Sequence, residues 1–217
     1  MMKTWTTVFA MLVACATSST YAQPVQGDVK AGAGKVAMCI GCHGIPGYQA
    51  SFPEVHKVPK MAGQSAGYIA SALEAYRKGD RNHPSMRGIA QSLTDQDIAD
   101  VAAYYEAQNP ASMEAQPHEP PADVAALIEK GACFSCHGQN FGKPIDASYP
   151  KVAGQYADYL LVALKSYKTT NNRYVGRSNG IMAPIAQQFS NQELKLLANY
   201  ISGLDGDLKT IPQKHFR

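Results

Sequence analysis

The chain has 217 residues, 45% of them apolar, with a formal net charge of +3 at pH 7. That length fits one large domain or two small ones, and the composition is ordinary for a soluble globular protein. The charge is not gathered into the basic face that nucleic-acid binding requires, so that class is excluded.

At the N-terminus, Lys3 precedes an apolar run from Trp5 to Ala14 and then small residues. This is the layout of a secretory signal peptide, too short to span a bilayer. Cleavage after Ala22 is expected, giving a signal peptide over 1–22. The alternative is a lipobox-like Leu12-Val13-Ala14-Cys15, which would leave Cys15 lipidated.

Next comes a helix running into Cys39-Ile40-Gly41-Cys42-His43, and the same spacing returns at Cys133, Cys136 and His137. CxxCH is the attachment signature of c-type haem. Two thiols three residues apart on a helical turn reach the two vinyl groups of one haem edge, and the adjacent imidazole becomes the proximal iron ligand. A disulfide or a thioredoxin-like pair leaves the two histidines unexplained. A zinc site needs its CxxC pairs to converge on one ion, whereas these lie in separate halves of the chain.

The two motifs head two copies of one unit. Val58-Pro59-Lys60-Met61-Ala62-Gly63-Gln64 matches Tyr149-Pro150-Lys151-Val152-Ala153-Gly154-Gln155. Tyr68, Leu73 and Tyr76 then match Tyr159, Leu164 and Tyr167, at helical spacing, as core and pocket wall. A third helix follows in each copy. Thr94 with Asp97, and Ser190 with Glu193, read as capping boxes ahead of the apolar faces Ile98, Val101, Ala102, Tyr105 and Leu194, Leu197, Ala198, Ile201.

Between the second and third helices, Met86 stands seven residues before Leu93, and Met182 seven before Phe189. This shared register, in loops rich in Gly, Asn and Pro, assigns them as distal ligands: His43 with Met86, and His137 with Met182. Met61 pairs with Val152, and His83 with Asn179, so neither has a matching ligand. Met38 adjoins a haem-bearing cysteine and Met113 lies in the linker, while His56, His118 and His215 are expected at the surface. A methionine thioether favours ferrous iron and raises the potential, and six-coordination leaves no iron open to substrate.

The copies are joined by a stretch with Pro110, Pro117, Pro120 and Pro121 and few apolar residues. The expected organisation is a first domain over 23–109, a linker over 110–121 and a second domain over 122–217. Each half is about 90 residues, a size at which an ordinary apolar core is marginal and a buried macrocycle supplies the missing part. The expected fold class is all-α, two tandem domains, each wrapped around one covalently bound haem.

With MCIGCHG, ACFSCHG, two PKxAGQ segments, two positioned methionines and a closing LTDQDIADVAAYY helix, the chain resembles two tandem class I cytochrome c domains, and with them the dihaem cytochrome c4 family, over essentially its whole mature length. The resemblance implies domains related by a pseudo-twofold with haem propionate edges facing each other. It also implies a periplasmic carrier of two haem c groups, soluble or loosely membrane-associated. Such a carrier takes electrons from a quinol-oxidising complex or dehydrogenase and gives them to a terminal oxidase or reductase. Departures are a longer loop around Asn171–Tyr174 and a longer segment after His43 that includes His56. The rival functions are a haem subunit of a larger dehydrogenase complex and a dihaem enzyme with one open iron.

Overall fold

The computed structural model describes residues 25–108 and 118–212. The signal-peptide segment with Cys15, most of the Pro-rich linker with Met113, and His215 lie outside the described residues.

In the first unit, α1 (Val29–Lys35) and α2 (Ala37–His43) lead through the CxxCH motif. A short ladder, β1 (Gln49–Ala50) with β2 (His56–Lys57), follows, then α3 (Ala66–Lys78), β3 (Arg81–Asn82), α4 (Pro84–Gln91) and α5 (Asp95–Ala107). The second unit repeats the plan with α6 (Ala122–Lys130), α7 (Cys133–His137), α8 (Ala157–Ser166), β4 (Gly176–Arg177), α9 (Met182–Gln187) and α10 (Asn191–Gly203). Two separate apolar cores result. One gathers Val36, Ile69, Leu73 and the α5 face Ile98, Val101, Ala102 and Tyr105; the other gathers Val124, Ile128, Leu160 and the α10 face Leu194, Leu197, Ala198 and Ile201.

Local chemistry sets the helix ends. Both expected capping boxes form: Thr94 and Asp97 exchange hydrogen bonds at the start of α5, and Ser190 and Glu193 do so at the start of α10. Ser65 caps α3, which ends at Gly79 in the left-handed conformation.

In each unit the first helix packs on the last. Gly32 makes this possible at α1, because a Cβ there would fall on the Asp100 carbonyl oxygen. Asp100 is 2% exposed, and its carboxylate accepts from the Asp28 N–H (2.8 Å), Gln96 Nε2 (2.8 Å) and Lys35 Nζ (2.6 Å). Three donors, one of them charged, meet the requirement that a buried carboxylate be paired.

The all-α expectation holds, with small additions to the helices. Two antiparallel ladders of two residues per strand are present, and β3 with β4 joins the units by pairing Arg81 with Arg177. Met86 and Met182 lie in α4 and α9 rather than in loops. The reason is local: Pro84 opens α4 where no N–H is needed, and the His83 ring accepts from the Met86 N–H. In the second unit Asn179 Oδ1 accepts the Ile181 and Met182 N–H groups at 3.1 and 2.8 Å. His83 and Asn179, mismatched as ligands, thus share one contact: each side chain accepts the N–H of the methionine three residues on.

The units meet through the two PKxAGQ segments. Gln64 Nε2 donates to the Lys151 carbonyl (2.9 Å) and its Oε1 accepts the Lys151 N–H (3.0 Å). Gln155 does the same to Lys60, at 3.1 and 3.0 Å. This reciprocity is a local pseudo-twofold. The inserted segment of the first unit adds Lys57 to Asp158 and Glu54 to Lys165 across the same interface. The chain also returns after α10 to pair Lys209 with Ala62. His56, expected at the surface, is 5% exposed: β2 seats it against the Tyr159 ring, with Nδ1 donating to the Glu54 carbonyl.

Replacing Gly32 with Ala should destabilise the protein by about 1–3 kcal/mol, measured by thermal unfolding, because a backbone carbonyl cannot move aside as a side chain can. The Lys35 ammonium beside Asp100, with the Asp28 N–H and Gln96, holds its carboxyl below the usual carboxylate range. A lowered folded pKa gives stability that is present above the unfolded value near ~3.9 and is lost as pH falls below it. Asp100→Asn should therefore lower the melting temperature at pH 7. The gap to the parent should shrink as the pH is taken below about 4.

Candidate haem sites

Each unit has a cavity that gathers its expected haem residues. The first, ≈ 390 Å³, is lined by Cys42, His43 and Met86, and Cys39 packs on the adjoining core. The second, ≈ 280 Å³, is lined by Cys133, Cys136, His137 and Met182. The expected residues are therefore brought together within each unit and kept apart between units. Among the described residues no three His, Cys, Asp or Glu side chains cluster as a metal cage, and the four cysteines form no disulfide.

The two histidines are held alike. His43 Nδ1 lies 2.9 Å from the Pro59 carbonyl and His137 Nδ1 lies 3.1 Å from the Pro150 carbonyl. A carbonyl only accepts, so each Nδ1 carries the proton and each Nε2 keeps a bare lone pair. Burial lowers both histidine pKa values, against the opposing pull of the carbonyls, and keeps the rings neutral. A neutral imidazole with its far nitrogen anchored is the form that ligates a metal.

One thiol of each pair is shifted away from redox exchange. Burial pushes Cys39 up to about 11 and raises Cys133 as well. A dithiol that attacks disulfides needs the opposite shift, toward thiolate. Apolar walls, two thiols on one helical turn, a bare imidazole nitrogen and a thioether make a donor set that fits a haem.

The cavities differ in polarity. Met61 lines the first beside Met86, and His56 and His83 also border it. Its repeat partner Val152 lines the second, which has no histidine besides His137 among its described walls. Met38 is exposed, and His118 is exposed beside Asp205.

Sequence reasoning placed Tyr68 and Tyr159 in the pocket walls but missed the arginines and glutamines that the two cavities also share. Arg81 and Arg177, Tyr68 and Tyr159, and Gln64 and Gln155 line both. Arg81 donates from Nη1 to the Tyr68 hydroxyl (3.2 Å) and from Nη2 to the Tyr159 hydroxyl (2.8 Å). Arg177 Nη2 donates to the same Tyr159 hydroxyl at 3.2 Å. The Arg81 guanidinium also covers the Tyr76 ring at 4.5 Å, and that of Arg177 covers the Tyr167 ring at 5.4 Å. Burial would raise the Tyr159 hydroxyl, but the charges of Arg81 and Arg177 prevail and bring it down to about 8. The signal was present: Arg81 stands five residues before Met86, and Arg177 five before Met182.

The Cytochrome c family matches the chain twice, over residues 29–108 and 121–205. Cytochrome c4 of Azotobacter vinelandii is 32% identical over 195 residues, 82% of this chain and 90% of that protein. The thiosulfate dehydrogenase electron acceptor of Stutzerimonas stutzeri is 32% identical over 205 residues, 88% of this chain and 92% of that protein. The crystal structure of reduced recombinant cytochrome c4 from Pseudomonas stutzeri matches with a TM-score of 0.60 at 30% identity, over 82% of this chain and 100% of that one. With two cytochrome c domains in tandem, one cavity in each, the chain belongs to the dihaem cytochrome c4 family, electron-transfer proteins with two covalently bound haem c groups.

Proposed function

We propose that the chain is a periplasmic electron carrier in which Cys39 and Cys42 hold one haem c and Cys133 and Cys136 the other. His43 with Met86, and His137 with Met182, close the two irons. The carrier takes electrons from a quinol-oxidising complex or dehydrogenase and delivers them to a terminal oxidase or reductase. The observation that carries this reading is the repeated histidine anchor: each Nδ1 is spent on a proline carbonyl, and each cavity also holds one register-matched methionine.

A haem c bound in each cavity supplies one-electron ferric–ferrous chemistry. The residues around it serve that chemistry by staying still. The Pro59 and Pro150 carbonyls fix ring orientation and make the bare Nε2 more basic. The His83 and Asn179 side chains each accept the N–H of the methionine three residues on, so each thioether is carried on a structured backbone rather than a free loop. The apolar walls Ile69, Leu73, Leu160 and Leu194 keep water from the buried sites. Export is supported by the signal-like N-terminus, and among the described residues no helix is long and apolar enough to cross a membrane.

A dehydrogenase as the donor has its own support. One relative bears the name thiosulfate dehydrogenase electron acceptor, and it aligns over 88% of this chain. Mixing the oxidised protein with a thiosulfate dehydrogenase and its substrate should reduce both haems. Stable co-purification with such an enzyme would make the chain a subunit rather than a diffusing carrier.

In the purified protein, optical spectra should give two c-type haems with methionine-to-iron charge transfer and no carbon monoxide binding. Met86→Ala should lower the potential of the first haem and create carbon monoxide binding there, and Met182→Ala should do the same at the second. An unchanged potential and spectrum in Met86→Ala would transfer the ligand role to Met61, which lines the same cavity.

A further inference from the structure

The α5 helix buries one polar atom that the fold leaves without a partner. Tyr105 is 5% exposed, and among the described residues its hydroxyl has no hydrogen-bond partner. A buried hydroxyl left unpaired is costly, so it calls for an acceptor. The ring is not free to carry it out to solvent. Tyr104 meets that ring edge-on at 5.3 Å, and Val36, Ile69 and Ile98 belong to the core around it. The Tyr105 carbonyl is tied in turn to the Gly63 N–H at 3.0 Å.

Cys39 packs against the same core. Burial raises the Tyr105 hydroxyl above its usual value, and Cys39 beside it adds to the rise. The hydroxyl acts in return on Cys39, drawing its thiol down against the effect of burial, as a donor directed at the sulfur does. A free thiol is a poor partner because it carries its own proton and accepts weakly. A sulfur bonded to a haem vinyl carbon has lost that proton and keeps its lone pairs, so it accepts and does not donate. Attachment of a haem at Cys39 thus gives the orphaned hydroxyl an acceptor.

The second unit has no such donor. Tyr105 stands seven residues after Ile98, and the same step from Leu194 reaches Ile201, in the core that Cys133 packs against. Isoleucine has no hydrogen to donate.

We propose that the Tyr105 hydroxyl donates a hydrogen bond to the thioether sulfur of Cys39 and raises the potential of the first haem alone. The inference rests on Cys39 as a haem attachment point, as assigned above. A donor brings the positive end of its dipole to the edge of the macrocycle, and positive potential there favours the ferrous state, which holds the additional electron. An electron on the carrier is thereby biased toward the first haem by a hydroxyl that the repeat does not copy.

Spectroelectrochemical titration of the purified dihaem protein and its Tyr105→Phe variant tests this, together with resonance Raman spectra in H2O and D2O. Phenylalanine keeps the ring and removes the donor. One potential, that of the first haem, should fall while the other stays at the parent value. A thioether carbon–sulfur band should shift on deuteration in the parent and lose that shift in the variant. Unchanged potentials, a fall in both, or a parent band indifferent to deuteration each overturn the hydrogen bond. The parent spectra keep the test available if Tyr105→Phe does not fold. Mass spectrometry of the Cys39 peptide checks the attachment separately: a peptide without the haem mass would overturn the reading of Cys39 itself, whatever the potentials do.

Discussion

One short irregular segment, present twice, has to satisfy its own peptide groups, and the rest of the structure is organised by how it does so. Backbone outside helix and sheet must find partners elsewhere. In Pro59–Gln64 the proline carbonyl takes the His43 ring, the Lys60 peptide takes Gln155, and the Ala62 peptide pairs with Lys209. The Gly63 N–H donates to the Tyr105 carbonyl at the end of α5, from a left-handed conformation that leaves no room for a Cβ beside Asp207. The second copy repeats the pattern through His137, Gln64 and Ile201. A single stretch of backbone thereby orients the CxxCH histidine, closes its own unit and docks the other unit.

The repeat is not symmetrical in its surroundings. The first unit carries an inserted ladder that seats His56 against Tyr159 and sends Lys57 and Glu54 to charged partners in the second unit. It also has the buried Asp100 cluster, whose position in the second unit is taken by the exposed Leu196. The two pockets therefore have different polarity, with His56, His83 and Met61 on one side and Val152 in place of Met61 on the other. Two electron sites built on one plan are given unequal environments in this way, and haem potential follows pocket polarity and hydrogen bonding.

Electrostatics at the interface combines paired and unpaired charge. Lys60, Arg81 and Arg177 bring positive charge to the surfaces the units bury against each other, and burial lowers the Lys60 pKa where its Nζ meets the Gly154 carbonyl. The depressed Tyr159 hydroxyl registers the same field. The Lys57–Asp158 and Lys165–Glu54 pairs and the reciprocal Gln64 and Gln155 hydrogen bonds hold the units together around these cations.

What could be read from the sequence was what is encoded at short range. CxxCH is a spacing on one helical turn, and capping boxes at Thr94 and Ser190 are spacings of three residues, so both were legible directly. The methionines could be singled out only because the chain contains two copies, and the common register of Met86 and Met182 is what set them apart from Met61 as proposed ligands. Tertiary structure decided the rest. Gln64 bonds a residue 87 positions away and Gln155 one 95 positions away, and no local pattern announces such pairs. His56 looked like a surface residue until β2 folded it onto the other unit. Arg81 and Arg177 stood in matching register all along, yet two arginines in two loops say nothing until the halves are face to face. Spacing along the chain determines which ligands a site can offer, whereas burial and charge belong to the space between elements and exist only once distant segments have met.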